Sequence, residues 1–295
     1  MSQFSNTAAP FDDRDGFIWV DGKFVPWREG KVHILTHGLH YASSVFEGLR
    51  VYDGKIFKLS EHSQRLIRSA ELLDMKIPYS VGELNAATLA TVEKQGVKNG
   101  YVRPVAWRGS EMMAIAAQRT TIHVAIASWE TKTYYAPELL ENGIALTRAR
   151  YCRPAPTMAP TESKAAGLYM ICTISKHEAE RKGFQDALML DYRGLVAEAT
   201  GANIFMVIDG VLHTPVPDCF LNGITRQTVI QLAIDNGINV LERHIPPEDL
   251  SIATEVFLTG TAAELTPVGR LDELSFTPST ITKLLSQKYK ELTKA

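Results

Sequence analysis

The sequence predicts an α+β protein with two domains, and three observations lead to this prediction. First, three pairs of strand-like runs are joined by Asp-Gly, and they lie in both halves of the chain. Asp-Gly readily takes the positive φ angles of a two-residue hairpin turn, so antiparallel sheet is expected in both halves. Second, runs with apolar residues at helical spacing alternate with these hairpins. Third, 295 residues are enough for two domains of ordinary size.

The predicted strands follow from these turns and from β-branched and apolar runs. The hairpins pair residues 17–20 with 23–27, 49–52 with 55–59, and 204–208 with 211–214. Further strands are predicted at residues 102–107, 121–127, 187–190 and 255–258. Together these runs make sheet the main scaffold of both halves.

Three helices are predicted between the strands. Ser60 is a candidate N-cap for the first helix, whose apolar face covers residues 62–73. The second helix is predicted over residues 165–181. The third follows Thr225 and stops at Gly237, because glycine readily ends a helix.

The candidate domain boundary follows the strand at 121–127. A polar stretch broken by Pro137 places a linker at residues 129–137, between a small domain at 1–128 and a larger domain at 138–295. A second irregular stretch, residues 153–160, contains three prolines and cannot be a regular helix or a central strand. This stretch leads directly to Lys164.

Composition narrows the possible partners and the location. The formal charge of −2 provides no basic field for nucleic acid or an anionic membrane. The polar, acidic start lacks the features of a signal or transit peptide, and no apolar run is long enough to cross a bilayer. Three widely spaced cysteines predict buried or partly buried free thiols rather than disulfides or a zinc site. We therefore expect a cytoplasmic protein.

The second half of the chain carries a lysine, an acid and two small glycine turns. Lys164 is followed by small residues that leave space for a flat ring, and Glu198 lies in a strand-like run. Ile224 and Thr225 follow a glycine and open a helix, whose free N–H groups attract an anion. Thr261 lies in a second glycine turn that permits close backbone approach. This combination suits pyridoxal phosphate (PLP), with a Schiff-base amine, an acid for the pyridinium nitrogen and turns for the phosphate.

Each of these residues also has a plainer interpretation when it is taken alone. A lysine near a helix start is most often a surface charge, and a strand glutamate commonly faces water. Each glycine turn alone is most often an ordinary capped turn. The PLP hypothesis therefore depends on their combination and on the resemblance described next.

Nearly the whole chain resembles the class IV aminotransferases of PLP fold type IV, and most closely the branched-chain amino acid aminotransferases. The strings that carry the resemblance are Tyr41–Arg50, Tyr101–Arg103, Ser163–Tyr169, Val196–Phe205, Asn222–Arg226 and Thr259–Glu264. The resemblance implies a small α/β sandwich-like domain and a larger domain with a pseudo-barrel sheet. It also implies roles for the cofactor-binding residues, which are Arg65 and Thr225 with Ile224 and Thr261 at the phosphate, Lys164 at the reactive carbon, Tyr169 at the ring hydroxyl, Glu198 at the ring nitrogen, and Asn203 as a support.

The same resemblance assigns the substrate to the first half of the chain. Phe46 and Gly48 imply an apolar pocket, and Tyr41 would come from the partner subunit of a homodimer. Arg103 would accept the second carboxylate of glutamate, so one pocket would take both leucine and glutamate. The remaining substrate residues are Arg50, Tyr101, Trp129, Thr261, Ala262 and Ala263. The plainer interpretation of Tyr41 and Phe46 is core packing, and that of Arg103 is a surface strand residue.

The expected reaction is PLP-dependent transfer of the amino group between leucine, isoleucine or valine and 2-oxoglutarate. The alternatives are another class IV enzyme (a D-amino acid or (R)-amine transaminase, or aminodeoxychorismate lyase) and a catalytically idle PLP-binding protein. Residues 111–115 and 130–135 differ from the family pattern, which leaves the breadth of substrates open. His33, His37 and His40 have ligand-like spacing but no acidic or cysteine partner, so no metal is expected.

Overall fold

A computed structural model describes residues 9–131 and 135–294. They divide into two compact units. The N-terminal unit comprises residues 9–131 and Ser163–Leu168, and the C-terminal unit comprises residues 135–162 and 169–294. The segment that carries Lys164 therefore lies in the N-terminal unit, whereas the predicted boundary counts it with the larger domain. Residues 132–134 of the predicted linker lie outside the described residues.

The N-terminal unit is built on a seven-stranded antiparallel sheet in the order β2-β1-β7-β6-β4-β5, with β3 also paired to β6. Its strands are β1 (Phe17–Val20), β2 (Lys23–Pro26), β3 (Ser44–Phe46), β4 (Leu49–Tyr52), β5 (Lys55–Ile56), β6 (Gly100–Arg108) and β7 (Ile122–Glu130). Its helices are α1 (His37–Tyr41), α2 (Leu59–Glu71) and α3 (Val81–Gln95), with a 3-10 turn at Trp27–Glu29. Strand β6 alternates buried and half-buried residues, as expected of a strand with one face on a core. That core includes Val102 and Val124 of the sheet and Leu66 and Leu84 of α2 and α3.

The C-terminal unit contains a closed ring of six strands. The nine-stranded sheet has the order β10-β9-β8-β15-β14-β11-β12-β13, and an additional β10–β11 pairing closes β10, β9, β8, β15, β14 and β11 into a barrel. The strands are β8 (Ile144–Arg148), β9 (Asp186–Leu190), β10 (Val196–Ala199), β11 (Asn203–Ile208), β12 (Val211–Pro215), β13 (Val240–Arg243), β14 (Glu255–Gly260), β15 (Glu264–Leu271) and β16 (Leu274–Ser275). Leu146, Leu188, Ile204, Leu258 and Val268 belong to the core of this unit.

Four α-helices accompany the barrel. They are α4 (Pro137–Asn142), α5 (Met170–Arg181), α6 (Ile224–Asp235) and α7 (Thr280–Lys294), with 3-10 turns at Ala166–Tyr169 and Pro247–Ser251. Helices α6 and α7 pack on β14, and α7 also contacts β15. Mixed helices and largely antiparallel sheets in both units confirm the predicted α+β class.

The three predicted Asp-Gly hairpins are confirmed, and both residues of each turn have positive φ. The second hairpin is shorter than predicted, because α2 begins at Leu59. The prediction of Ser60 as the cap of α2 is wrong: Lys58 occupies the N-cap, and the Ser60 hydroxyl accepts a hydrogen bond from Asn85 Nδ2 at 2.8 Å.

Two further sequence expectations meet the structure here. The helix predicted over residues 165–181 begins instead with a 3-10 turn and becomes α-helical only at Met170. All three cysteines are free thiols; Cys172 and Cys219 are buried, but Cys152 is exposed, contrary to expectation. None of the helices in residues 9–131 and 135–294 combines the length and hydrophobicity that crossing a membrane requires.

Candidate active site

Backbone and hydroxyl contacts within the N-terminal unit fix Lys164. The carbonyl of Lys164 accepts a hydrogen bond from Phe46 N at 3.2 Å, and the adjacent Ala165 pairs with Val45. On the other side, the Ser69 hydroxyl of α2 accepts from Lys164 N at 3.0 Å. These contacts hold the backbone of the lysine between β3 and α2, and its Nζ lies 5.0 Å from the centre of the Phe46 ring.

A buried ion-pair cluster adjoins this lysine. The carboxylate of Glu47 accepts from Arg65 Nε at 2.6 Å and Nη2 at 2.9 Å, and it lies 2.6 Å from His62 Nδ1. Burial of Glu47 opposes ionisation, but Arg65 and His62 together hold the pKa of this carboxyl well below its usual range. Burial lowers the pKa of His62, and the charges of Arg65 and Lys164 act in the same direction. The cluster therefore contains a carboxylate, a guanidinium and a neutral imidazole.

Five of the predicted substrate residues lie together on the sheet of the N-terminal unit. The guanidinium of Arg103 lies 4.8 Å from the Phe46 ring centre, and its Nη2 is 3.4 Å from Tyr101 Oη. The Tyr101 and Trp129 ring centres are 5.4 Å apart. A Cβ on Gly48 would come within 1.7 Å of Tyr101 Oη, so this position needs glycine while the tyrosine stays in place. The buried Arg103 Nε has no hydrogen-bond partner among the described residues.

Two predicted substrate residues lie apart from this group. Tyr41 ends α1, packs on the His37 ring at a centre distance of 4.6 Å, and is 45% exposed. The guanidinium of Arg50 lies 5.3 Å from the Tyr52 ring centre. The rings of His37 and His40 contact the backbone carbonyls of Ala114 and Ile34.

The C-terminal unit links a buried acid to a helix N-terminus. Glu198 of β10 and Asn203 of β11 face each other in register, and Asn203 Nδ2 donates to Glu198 Oε2 at 3.1 Å. The Asn203 carbonyl oxygen accepts from the backbone N of Gly223 at 3.1 Å, and Gly223 is the N-cap of α6. A Cβ on Gly223 would lie 2.3 Å from Asn203 Oδ1, so the close approach needs glycine.

The predicted phosphate residues surround this helix start. Ile224 and Thr225 form the first turn of α6, and Thr225 is buried. Thr261, Ala262 and Ala263 form the half-buried turn between β14 and β15. Thr259 stands opposite Asn203 in register, and its buried hydroxyl has no hydrogen-bond partner among the described residues. Backbone N–H groups, small residues and a spare hydroxyl fit a phosphate group.

Two charged residues of these clusters were missed by the sequence analysis. Arg153, in the proline-rich stretch, places its Nε 3.2 Å from Glu198 Oε1. Burial opposes the charge of Arg153, yet Glu198 leads the neighbours that together raise the pKa of this guanidinium, and Tyr169 is one of them. Burial also raises the pKa of the nearby Cys172 thiol to about 11. The second missed residue is Glu47, whose signal was a charge inside an otherwise apolar strand run.

These two clusters define a class of protein. The family model described as amino-transferase class IV matches residues 44–271, and the chain belongs to this family. It is therefore an aminotransferase of fold type IV. The chain is 42% identical over 264 residues, 88% of this chain and 86% of the relative, to a branched-chain-amino-acid aminotransferase of Pseudomonas aeruginosa. It is 39% identical to that of Escherichia coli K12, over 87% of this chain and 85% of the relative.

Solved structures agree with this membership. The Escherichia coli branched-chain amino acid aminotransferase has a TM-score of 0.92 and 37% identity, covering 95% of both chains. A second such enzyme, from the source abbreviated T.th. and solved with pyridoxamine 5′-phosphate, has a TM-score of 0.92, 36% identity and the same coverage. The enzyme of Thermoproteus uzoniensis, solved with norvaline, has a TM-score of 0.91, 36% identity and again the same coverage. The predicted fold type, with a small domain and a larger domain that contains a pseudo-barrel, is confirmed.

Proposed function

We propose that this aminotransferase exchanges the amino group between leucine, isoleucine or valine and 2-oxoglutarate. The observation that carries the proposal is the Glu198–Asn203–Gly223 chain, which ties a buried acid to an anion-binding helix N-terminus. The names of the relatives and the norvaline in a similar structure support branched or unbranched apolar side chains. The cofactor is pyridoxal 5′-phosphate, since similar structures were solved with pyridoxamine 5′-phosphate and in a PLP-form.

Several residues would hold this cofactor. The first turn of α6 with Thr225, the turn at Thr261 and the guanidinium of Arg65 would bind the phosphate, and Tyr169 would donate to the ring hydroxyl. Glu198 would face the ring nitrogen. When bound, the cofactor supplies an electron-poor ring that accepts the electrons of the substrate Cα–H bond. Lys164 Nζ would hold the cofactor in the resting enzyme and move the proton to and from Cα.

The substrate would occupy the sheet surface of the N-terminal unit. Phe46 and Trp129 provide apolar contact for a branched side chain. The buried Arg103 Nε lacks an acceptor among the described residues, which suits the second carboxylate of glutamate. Tyr101 and the turn of residues 261–263 would bind the α-carboxylate, and Arg50 would support this region from β4.

A homodimer accords with the surface of the N-terminal unit. Ile34 is 72% exposed, Leu39 65% and Tyr41 45%, and Val32 and Leu35 beside them are also exposed. Contiguous exposed apolar residues mark contact surfaces. We propose that this segment packs on a second copy of the chain and that Tyr41 enters the partner's substrate site. The location proposed from composition is the cytoplasm.

The test is the visible spectrum of the purified protein. Addition of L-leucine should bleach the yellow absorption of bound cofactor, and 2-oxoglutarate should restore it. D-alanine and a chiral amine serve as control donors, and a response to these donors alone would favour the D-amino acid or (R)-amine alternative. Lys164→Ala should retain PLP but lose turnover; normal turnover by this variant would contradict the assignment of Lys164.

A further inference from the structure

Glu47 is the most completely buried charged side chain of the N-terminal unit, and the roles proposed so far leave it without a task. It lies between Phe46 and Gly48, and none of its surface is exposed. Withdrawing a carboxylate from water costs several kcal/mol unless cations and hydrogen bonds compensate. A position of this kind therefore demands explanation by its partners.

Those partners are themselves site residues or neighbours of site residues. Both oxygens of Glu47 accept from Arg65, through Nε at 2.6 Å and Nη2 at 2.9 Å. Oε2 also accepts from the backbone N of Gly48 at 3.2 Å and contacts His62 Nδ1. A forked contact of this type fixes both the direction and the plane of the guanidinium.

The backbone around Glu47 serves a second group of site residues. Phe46 N donates to the Lys164 carbonyl, and Glu47 N donates to the carbonyl of Pro104 on β6 at 2.8 Å. Gly48 leaves the space that Tyr101 occupies. Rotation of the Glu47 side chain would therefore disturb Arg65 on one side and the substrate strand on the other.

We propose that Glu47 is a positioning residue that orients Arg65 toward the cofactor phosphate. This inference rests on the proposed function, because it requires that Arg65 bind the phosphate of PLP. Stability alone is a poor reason for the arrangement, since apolar residues of similar volume often replace a buried ion pair without loss of stability. An arginine held on two edges has little orientation to lose when the phosphate binds.

The experiment is a double-mutant cycle on the dissociation constant of PLP, measured by equilibrium dialysis of the apoenzyme. Glu47→Gln should weaken PLP binding on the order of 10- to 100-fold, as loss of an outer partner does at metal ligands. In an Arg65→Gln background, the same change at Glu47 should have almost no further effect. Equal weakening in both backgrounds, or none in either, would overturn the proposal.

Glu255→Gln is the matched control. Glu255 is a buried carboxylate of the C-terminal unit that accepts from the backbone N of Ser279, Ile281 and Thr282 at the start of α7. Its loss should lower the melting temperature and leave PLP affinity unchanged. The phosphorus NMR shift of bound PLP should move in Glu47→Gln and stay in Glu255→Gln.

Two further comparisons keep the outcomes distinct. If Glu47→Gln does not fold, Glu47→Asp replaces it, because a shorter carboxylate keeps the charge but not both contacts to Arg65; unaltered PLP affinity in that variant would also reject the proposal. Wild-type apoenzyme that binds no PLP would instead refute the proposed function.

Discussion

The two units each contain a buried glutamate paired with an arginine and a neutral side chain, but the two carboxylates are held differently. Glu47 has no exposed surface, and its contacts to Arg65 and His62 are as short as 2.6 Å. Glu198 is 8% exposed, and its contacts to Arg153 and Asn203 are 3.2 and 3.1 Å. The same ion-pair chemistry thus produces one carboxylate turned fully toward protein donors and one less tightly enclosed.

This difference teaches which carboxylate orients other side chains and which one meets a ligand. A carboxylate with short contacts to several donors is immobile and directs its partners. A carboxylate with longer contacts and some remaining exposure is suited to face a ring nitrogen. The following predictions separate these two tasks, from the largest expected effect to the smallest.

The largest effect is expected for Glu198→Gln. The neutral amide no longer favours a protonated ring nitrogen, so kcat should fall on the order of 100- to 1,000-fold. Steady-state kinetics with L-leucine and 2-oxoglutarate measure this change, with Glu255→Gln as the buried control that keeps its kcat. A normal kcat in Glu198→Gln would remove this residue from the reaction.

Glu47→Gln should have its main effect on stability. Removing the charge leaves the guanidinium of Arg65 poorly compensated, and the free energy of unfolding should fall by about 3 kcal/mol. Urea denaturation of the apoenzyme measures it. The corresponding loss in Glu198→Gln should be smaller, because the Glu198 contacts are longer; equal losses would abolish the distinction between the two carboxylates.

Gly223→Ala tests the support behind Glu198. The new Cβ would meet Asn203 Oδ1 at 2.3 Å, so the carboxamide must shift, and the free energy of unfolding should fall by about 2 kcal/mol. PLP affinity should fall with it. Gly201→Ala is the control, because a Cβ there meets no atom within 4 Å. Similar behaviour of the two variants would show that the contact between Gly223 and Asn203 has no role.

The smallest effect concerns pH and His62. Burial keeps the pKa of His62 in the folded protein below its ordinary value of 6.5, so the unfolded chain binds a proton first as the pH falls. Stability should therefore decrease as the pH falls through 6.5 and below. Urea midpoints between pH 8 and pH 5 should decline less steeply in His62→Asn; an unchanged slope would mean that other groups carry the dependence.

Local chemistry explains what the sequence predicts well. The Asp-Gly turns determine their own backbone angles, and α6 has a glycine at each end. Helix α3 escaped prediction because Thr88 and Thr91 lie on its buried face, where their hydroxyls bond to carbonyls of the preceding turn. The capping box of Ser80 and Glu83 was the signal that could have located this helix.

The site divides in the same way. Lys164, Glu198 and Thr225 stand in distinctive short strings, so the sequence alone nominates them. Arg153 and Glu47 do not, because their partners lie 45 and 18 positions away along the chain. Ion pairs of that separation leave no periodic pattern, and only the fold brings the two charges together.

The order of strands in the barrel has a consequence for synthesis of the chain. Strand β15 lies between β8 and β14, and Val268 pairs with Ile144. During translation, β8 leaves the ribosome long before the strand that covers its edge, so that edge stays open while the intervening residues are made. We expect the nascent C-terminal unit to complete its barrel only when residue 271, the end of β15, has emerged.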